Sequence, residues 1–273
     1  MYTVVTDSSV YITRKESESL NVRIVPLSYS VNEQTFSEEF SDENGNFIEL
    51  LQLMRSTQTS QVSVGTFVRI FNELIENGQK VLCITISSRL SGTYANAVKA
   101  SQQVGSKDIV IIDSLSTAGG LRFLVEKACE HSKETFIYEA AKKIMKMRER
   151  VGVAFSVDEM TSLRKSGRLG FVRQSVSTIL NLRPILLCQS GTIVSKGVVR
   201  GKNAQLAGLV KCIPEKAKKI LVHYITPSDK VNDLEFLIQS KFKNRVTKNP
   251  IGPVLASHLG LSVIGVSWLT ESE

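Results

Sequence analysis

Four cysteines in 273 residues, Cys83, Cys129, Cys188 and Cys212, are scattered with no Cys-x-x-Cys pair. That spacing excludes zinc ribbons and thioredoxin-type redox motifs, and the apolar surroundings of three of the four mark them as reduced thiols, with metal binding not expected. No apolar run reaches the roughly 18 residues that a membrane-spanning helix needs. No signal-peptide pattern follows Met1-Tyr2-Thr3, so the expected location is the cytoplasm. A Gly-x-x-x-x-Gly-Lys-Ser/Thr loop is missing, which argues against a nucleotide-dependent kinase. So is Gly-x-Ser-x-Gly, the turn that exposes a hydrolase serine. Aromatic residues make up only 7% of the chain and lie mostly within apolar runs, so a base-stacking surface for nucleic acid is not expected.

What is present is the composition of an ordinary globular protein, 42% hydrophobic and 22% charged, in a chain longer than the typical single domain. The formal charge of +8 is uneven, with acids gathered between Glu16 and Glu49 and bases from Lys142 onward. Lys142, Lys143, Lys146, Arg148 and Arg150 read as the wet side of an amphipathic helix from about Tyr138.

The first half alternates strands and helices. Strands are expected at Tyr2 to Val5, Ile24 to Tyr29, Val81 to Ile86 and Ile109 to Ile112. Helices are expected at Arg14 to Leu20, Ile48 to Arg55, Phe67 to Glu76, Ala95 to Val104, Gly119 to Ser132 and Tyr138 to Arg148. A polar segment runs to Phe47. Such alternation predicts a parallel sheet covered by helices. After Val151 short strands dominate: Val153 to Val157, Pro184 to Gln189, Thr192 to Val199, Ile220 to Tyr224, Val254 to Ser257 and Ile264 to Trp268. The predicted fold is therefore α/β, with an N-terminal parallel-sheet α/β domain over 1–150 and a C-terminal α+β domain over 151–273.

Candidate site residues lie where apolar strands break into hydroxyl-rich turns. Ile84-Thr85-Ile86-Ser87-Ser88-Arg89-Leu90-Ser91-Gly92-Thr93-Tyr94 passes from a buried-type strand into a Ser/Gly turn and a helix start. Hydroxyls and free backbone N–H groups then stand at the carboxyl end of a sheet, where open α/β sheets bind ligands and helix N-termini favour anions. Ser91 and Gly92 could equally be a cap and a turn. The repetition points to a ligand with a polar head: Thr6-Asp7-Ser8-Ser9 and Asp113-Ser114-Leu115-Ser116-Thr117 also follow strands, and Thr57-Gln58-Thr59-Ser60-Gln61-Val62-Ser63 precedes an amphipathic run. In the second half, Leu163-Arg164-Lys165-Ser166-Gly167-Arg168-Leu169-Gly170 is either a basic anion-approach loop or a helix C-cap. Arg200 adds a cation at a strand end, and Gly252-Pro253-Val254-Leu255-Ala256-Ser257-His258-Leu259-Gly260 places a Ser-His pair between glycines.

In their order and approximate spacing, Thr6-Asp7-Ser8, Thr59-Ser60-Gln61-x-Ser63, Ser87-x-x-x-Ser91-Gly92-Thr93-Tyr94, Asp113-Ser114, Leu163-Arg164-x-x-Gly167-Arg168-Leu169, Arg183-Pro184-Ile185-Leu186, Gly191 and Gly252-Pro253 to His258 resemble the DegV family of bacterial fatty-acid-binding proteins. The resemblance covers essentially the whole chain. It implies a two-domain carrier, not an enzyme, that holds a long-chain fatty acid as a ligand between the two domains and needs no cofactor or metal. A separate fatty-acid kinase would phosphorylate the bound carboxylate, and the acyl phosphate would pass to phospholipid synthesis through an acyltransferase at the membrane surface. By the same resemblance the carboxylate would meet Thr59, Ser60, Ser91, the Gly92 and Thr93 backbone, Ser257 and His258. Arg168 and Arg200 would face the kinase or the phosphorylated head group.

Val62 stands where the family pattern favours proline, Ser257 where threonine is common, and Leu259-Gly260-Leu261-Ser262 lacks a Gly-Pro-Gly tendency. These departures bear on head-group geometry. Acyl length and unsaturation are not readable from sequence. The rival class is a serine hydrolase or acyltransferase, with Ser91 as nucleophile, His258 as base and Asp7 or Asp113 orienting it.

Overall fold

The computed structural model describes residues 1–52, 57–168, 181–242 and 246–271. In the first half the order is β1 (Tyr2–Asp7), α1 (Arg14–Leu20), β2 (Val22–Val25), β3 (Leu27–Val31), β4 (Gln34–Glu38), α2 (Phe47–Gln52), β5 (Thr57–Ser60), α3 (Val64–Glu76), β6 (Lys80–Thr85), α4 (Thr93–Val104), β7 (Ile109–Asp113), α5 (Ala118–His131) and α6 (Ile137–Met147). The second half follows with β8 (Val151–Ser156), α7 (Thr161–Lys165), β9 (Leu182–Gln189), β10 (Thr192–Arg200), α8 (Lys202–Cys212), β11 (Ala217–Tyr224), α9 (Asp229–Phe242), β12 (Val246–Pro250), α10 (Pro253–Leu259) and β13 (Ile264–Thr270).

Three sheets result. The parallel sheet expected from the βα alternation has the order β2-β1-β6-β7. Its central strands are buried on both faces, which is why Val81 to Ile84 read as a continuous apolar run. The second half folds into a six-stranded sheet, β10-β9-β8-β13-β11-β12, antiparallel except where β11 meets β12. A small antiparallel sheet, β4-β3-β5, stands beside them. One hydrophobic cluster runs through both halves of the chain, from Val5 and Phe67 to Phe155, Leu186 and Val254. Helix α5 packs on β1 and β6 and also on β8 and β13, so it is wedged between the two larger sheets.

Four sequence expectations are corrected. The strand Ile24 to Tyr29 is broken at Pro26, which lacks an N–H and fixes its own φ; β2 joins the parallel sheet and β3 the small one. The polar segment before Phe47 hides β4, closed by a two-residue turn at Asn32 and Glu33, both with positive φ. The hydroxyl cluster at Thr57 contains the strand β5. Val254 to Ser257, expected as a strand, lies in the helix α10. Its apolar run is too short for periodicity to separate helix from strand, and the deciding signals are Pro253 in the first turn and Gly260 at the C-cap with φ 80°.

After Val151 the short strands are joined by three helices besides α10, namely α7, α8 and α9, so the α+β description stands with more helix than the strand pattern implied. The end of the expected Ile48 to Arg55 helix, and Leu169 and Gly170 of the basic loop, lie outside the described residues. Among the described residues no helix is long and apolar enough to cross a membrane.

Candidate functional site

The turn after β6 is held by its own hydroxyls. Ser87 N–H donates to the Ser116 carbonyl at 2.9 Å, and Ser87 Oγ donates to the Gly191 carbonyl at 2.9 Å. This second bond ties the N-terminal turn to the β9–β10 turn of the other half. Ser91 Oγ lies 2.9 Å from Thr93 Oγ1 and accepts the Thr93 N–H at 3.3 Å. Next to it, Gly92 leaves room for Gln61, since a Cβ there would lie 2.0 Å from Gln61 Oε1. The absence of a side chain brings the β5–α3 connection against the Ser91 turn.

Two buried or half-buried aspartates anchor these turns. Asp7 accepts the Ile86 N–H at 2.6 Å, the Ser9 N–H at 3.1 Å and the Ser9 hydroxyl at 2.5 Å. Burial raises its pKa, and these bonds pull it back down. Asp113 accepts the Ser88 N–H at 3.1 Å and the Leu115 N–H at 3.0 Å. Leu115 and Ala118 both hold positive φ, 52° and 48°. A left-handed backbone is uncommon for residues with a Cβ and tends to collect at functional turns.

These elements wall a cavity of about 140 Å³, apolar over most of its surface, with Leu27, Phe155, Leu163, Val254 and Leu259 among its lining. Its polar lining comprises Thr59, Ser60, Gln61, Ser91, Arg168 and His258, with Ser9, Thr117 and His223 as further polar groups. Beside it lies a wider cleft of about 890 Å³, bordered by Lys165, Ser162, Ser257 and Ser262. Thr59, Arg168 and His258 line both, so they stand where the two adjoin, at the mouth. The Nδ1 of His223 lies 3.2 Å from the Asn249 carbonyl and its Nε2 lies 2.8 Å from Ser267 Oγ. Burial pushes the His223 pKa down to about 4.

His258 Nε2 is 2.7 Å from Thr59 Oγ1. Burial, reinforced by the positive charge of Arg168, lowers its pKa to about 4, so the ring is neutral at pH 7. Arg168 itself is folded back, its guanidinium donating to the Ser166 carbonyl.

The structure therefore brings together Thr59, Ser60, Ser91, Gly92, His258 and Arg168. It separates the other candidates from the pocket wall. Ser257 donates to the Pro253 carbonyl one turn back, at 2.8 Å, and faces the cleft. Thr93 is fully buried and reaches the site only through Ser91. Arg200 is exposed at the end of β10, outside pocket and cleft. The serine-hydrolase constellation is not assembled: His258 is bonded to Thr59 and Ser91 to Thr93, while among the described residues no carboxylate bonds His258. No group of acidic, histidine or cysteine side chains among them is arranged to hold a metal ion.

Glu38 was not among the sequence candidates, being one acid in an acid-rich polar segment. It is 1% exposed, accepting from Ser8 Oγ at 3.0 Å and from the Val254 N–H at 2.8 Å. Burial pushes its pKa up to about 7.

A parallel sheet and a mostly antiparallel one, with a largely apolar pocket drawn from both halves, define a mixed α/β fold. The chain belongs to the DegV family, whose profile, described as one of uncharacterised proteins, matches residues 1–271. A DegV domain-containing protein of Halalkalibacterium halodurans is 30% identical over 277 residues, 98% of each chain. Among solved structures, a fatty-acid-binding DegV family protein of Thermus thermophilus is 26% identical, with a TM-score of 0.87 over 99% of this chain and 100% of that one. A DegV lipid-binding protein of Thermotoga maritima shares the fold at a TM-score of 0.90 and 24% identity, each chain covered to 100%.

Proposed function

We propose that this protein is a carrier that binds a long-chain fatty acid in the pocket between its 1–150 and 151–273 parts and presents the carboxylate to a separate kinase. The observation that carries this reading is the make-up of the pocket: a largely apolar wall drawn from both halves, with the Thr59 hydroxyl, the neutral His258 imidazole and the Arg168 cation shared with the adjoining cleft. The fatty-acid binding of the Thermus thermophilus relative supports it.

A carboxylate at the mouth loses hydration, and Ser91, Thr59 and backbone donors replace it, each charge-assisted bond contributing about 1.5 to 3 kcal/mol. The acyl chain contributes about 0.8 kcal/mol per buried methylene. Arg168, on the border of pocket and cleft, complements the negative head group. Arg200, out on the surface, fits contact with an anionic partner. The chain itself supplies no chemistry: the kinase forms the acyl phosphate, and an acyltransferase of phospholipid synthesis consumes it.

Mass spectrometry of organic extracts from freshly purified, detergent-free protein tests the reading. A near-stoichiometric free fatty acid is expected. Empty protein that also fails to take up added fatty acids overturns it, and labelling of Ser91 by a serine-directed probe would turn the assignment to the hydrolase.

A further inference from the structure

His258 reaches the mouth from α10, a helix of seven residues. So short a helix has little stability of its own, and its position is set by what it touches. At its C-terminal end the contact is the His258–Thr59 bond to β5. At its N-terminal end the Val254 N–H donates to Glu38 Oε2 at 2.8 Å, and the Leu255 N–H donates to Tyr11 Oη at 3.4 Å. Gly252, just before the helix, fits against the same carboxylate: a Cβ there would lie 2.5 Å from Glu38 Oε2. The other carboxylate oxygen is held by Ser8 Oγ, which also accepts the Leu27 N–H at 3.1 Å.

Glu38 and Thr59 sit on β4 and β5, the two outer strands of the small sheet, with β3 between them. The helix thus has a hydrogen bond to the small sheet at each end, beside its packing on α7 and α2.

We propose that Glu38 is the positioning residue for His258: by seating the N-terminus of α10 on β4, it sets the place at which the imidazole meets Thr59 at the mouth. This rests on the fatty-acid reading for its functional consequence, though not for its geometry. A buried carboxyl oxygen supplies the acceptor that an N–H donor in the first turn of a helix otherwise lacks. An apolar side chain of the same size would leave the Val254 N–H without a partner and release that end.

The test uses the full chain with 15N-labelled histidine, carrying Glu38→Leu, Glu38→Asp or Glu38→Gln. Ligand-free protein is read first by the titration of His258, with His223 as the control for general loosening. In Glu38→Leu the His258 midpoint is expected to climb by one to two pH units toward the ordinary imidazole value as the ring leaves Thr59 and becomes hydrated, while His223 stays in place. Glu38→Asp keeps the carboxyl group, falls short of Val254 and moves His258 the same way by less, which serves if the leucine variant does not fold. Glu38→Gln retains an acceptor and should restore the wild-type signal. Affinity for a fluorescent fatty acid is then expected to fall about tenfold in the leucine variant, and less than twofold when the same change is made on a His258→Ala background.

A His258 signal unchanged in both the leucine and aspartate variants overturns the proposal, as does an equal displacement of His223. If wild-type protein binds no fatty acid, the functional reading fails while the histidine titration still decides the positioning role.

Discussion

Thr59 and His258 stand 199 residues apart in sequence and 2.7 Å apart in space. Thr59 is delivered by an edge strand of the small sheet and His258 by the short helix packed against it. Their bond gives the pocket a mouth made from both ends of the chain.

Ser91→Ala removes a hydroxyl from that mouth without disturbing the parallel sheet. Fatty-acid affinity is expected to fall about 10- to 100-fold, the loss of one charge-assisted bond. Isothermal titration against a single fatty acid measures it. Unchanged affinity together with unchanged turnover by the kinase would refute the assignment.

The two arginines should behave differently. Arg200→Ala is expected to leave bound lipid intact and slow phosphorylation by the kinase, since the side chain lies outside the pocket. Arg168→Ala should weaken binding several-fold and raise the His258 pKa, because its charge is one of the two causes holding that value down. Lipid quantitation after purification, paired with a kinase assay, separates these outcomes.

Stability should climb with pH from about 4 and level off above about 6.5. Folded Glu38 holds its proton to about 7 against an ordinary 4.5, so its contribution is fully present below 4.5 and is lost as pH rises through about 7. Folded His223 and His258 resist protonation down to about 4 against 6.5, so theirs is present above 6.5 and lost as pH falls through about 4. Between 6.5 and 8 the Glu38 contribution falls by about 1 kcal/mol, while the histidines of the unfolded chain, half protonated at 6.5, finish titrating and add about as much. Thermal denaturation across that interval should therefore show a nearly flat profile in wild type and a rise in stability of about 1 kcal/mol in Glu38→Gln. A Glu38→Gln profile as flat as wild type counts against the raised Glu38 pKa.

Gly191→Ala should destabilise the protein by about 1 to 3 kcal/mol. Its φ is 80°, and a Cβ would meet Ser87 Oγ at 2.4 Å and Leu115 beyond it. The clash falls on the bond that joins the Ser91 turn to the second half, so denaturant midpoint and fatty-acid affinity should drop together. A drop in stability alone would show that the turn holds without that tie.

The parallel sheet of the first half was legible in the sequence because βα alternation and buried apolar runs such as Val81 to Ile86 are local signals. The small sheet β4-β3-β5 was not, since its strands are short and mostly polar. The mouth was legible in part: Thr59, Ser60, Ser91 and Gly92 lie in turns whose hydroxyl and glycine content is itself local, and Arg168 and His258 sit in motifs of distinctive spacing.

Tertiary structure alone decided the remainder, since it depends on which distant groups meet. Ser257 and His258 are neighbours in sequence, yet a helical turn sends one hydroxyl to the cleft and one imidazole to the pocket. Glu38 differs from Glu39 by nothing in composition, yet the pleat of β4 places it in the interior beneath α10 while Glu39 is exposed. Residue type determined what could donate, accept or carry charge; burial and long-range pairing determined which of those groups gained a partner, because desolvation makes an unpaired group costly only where the fold has excluded water.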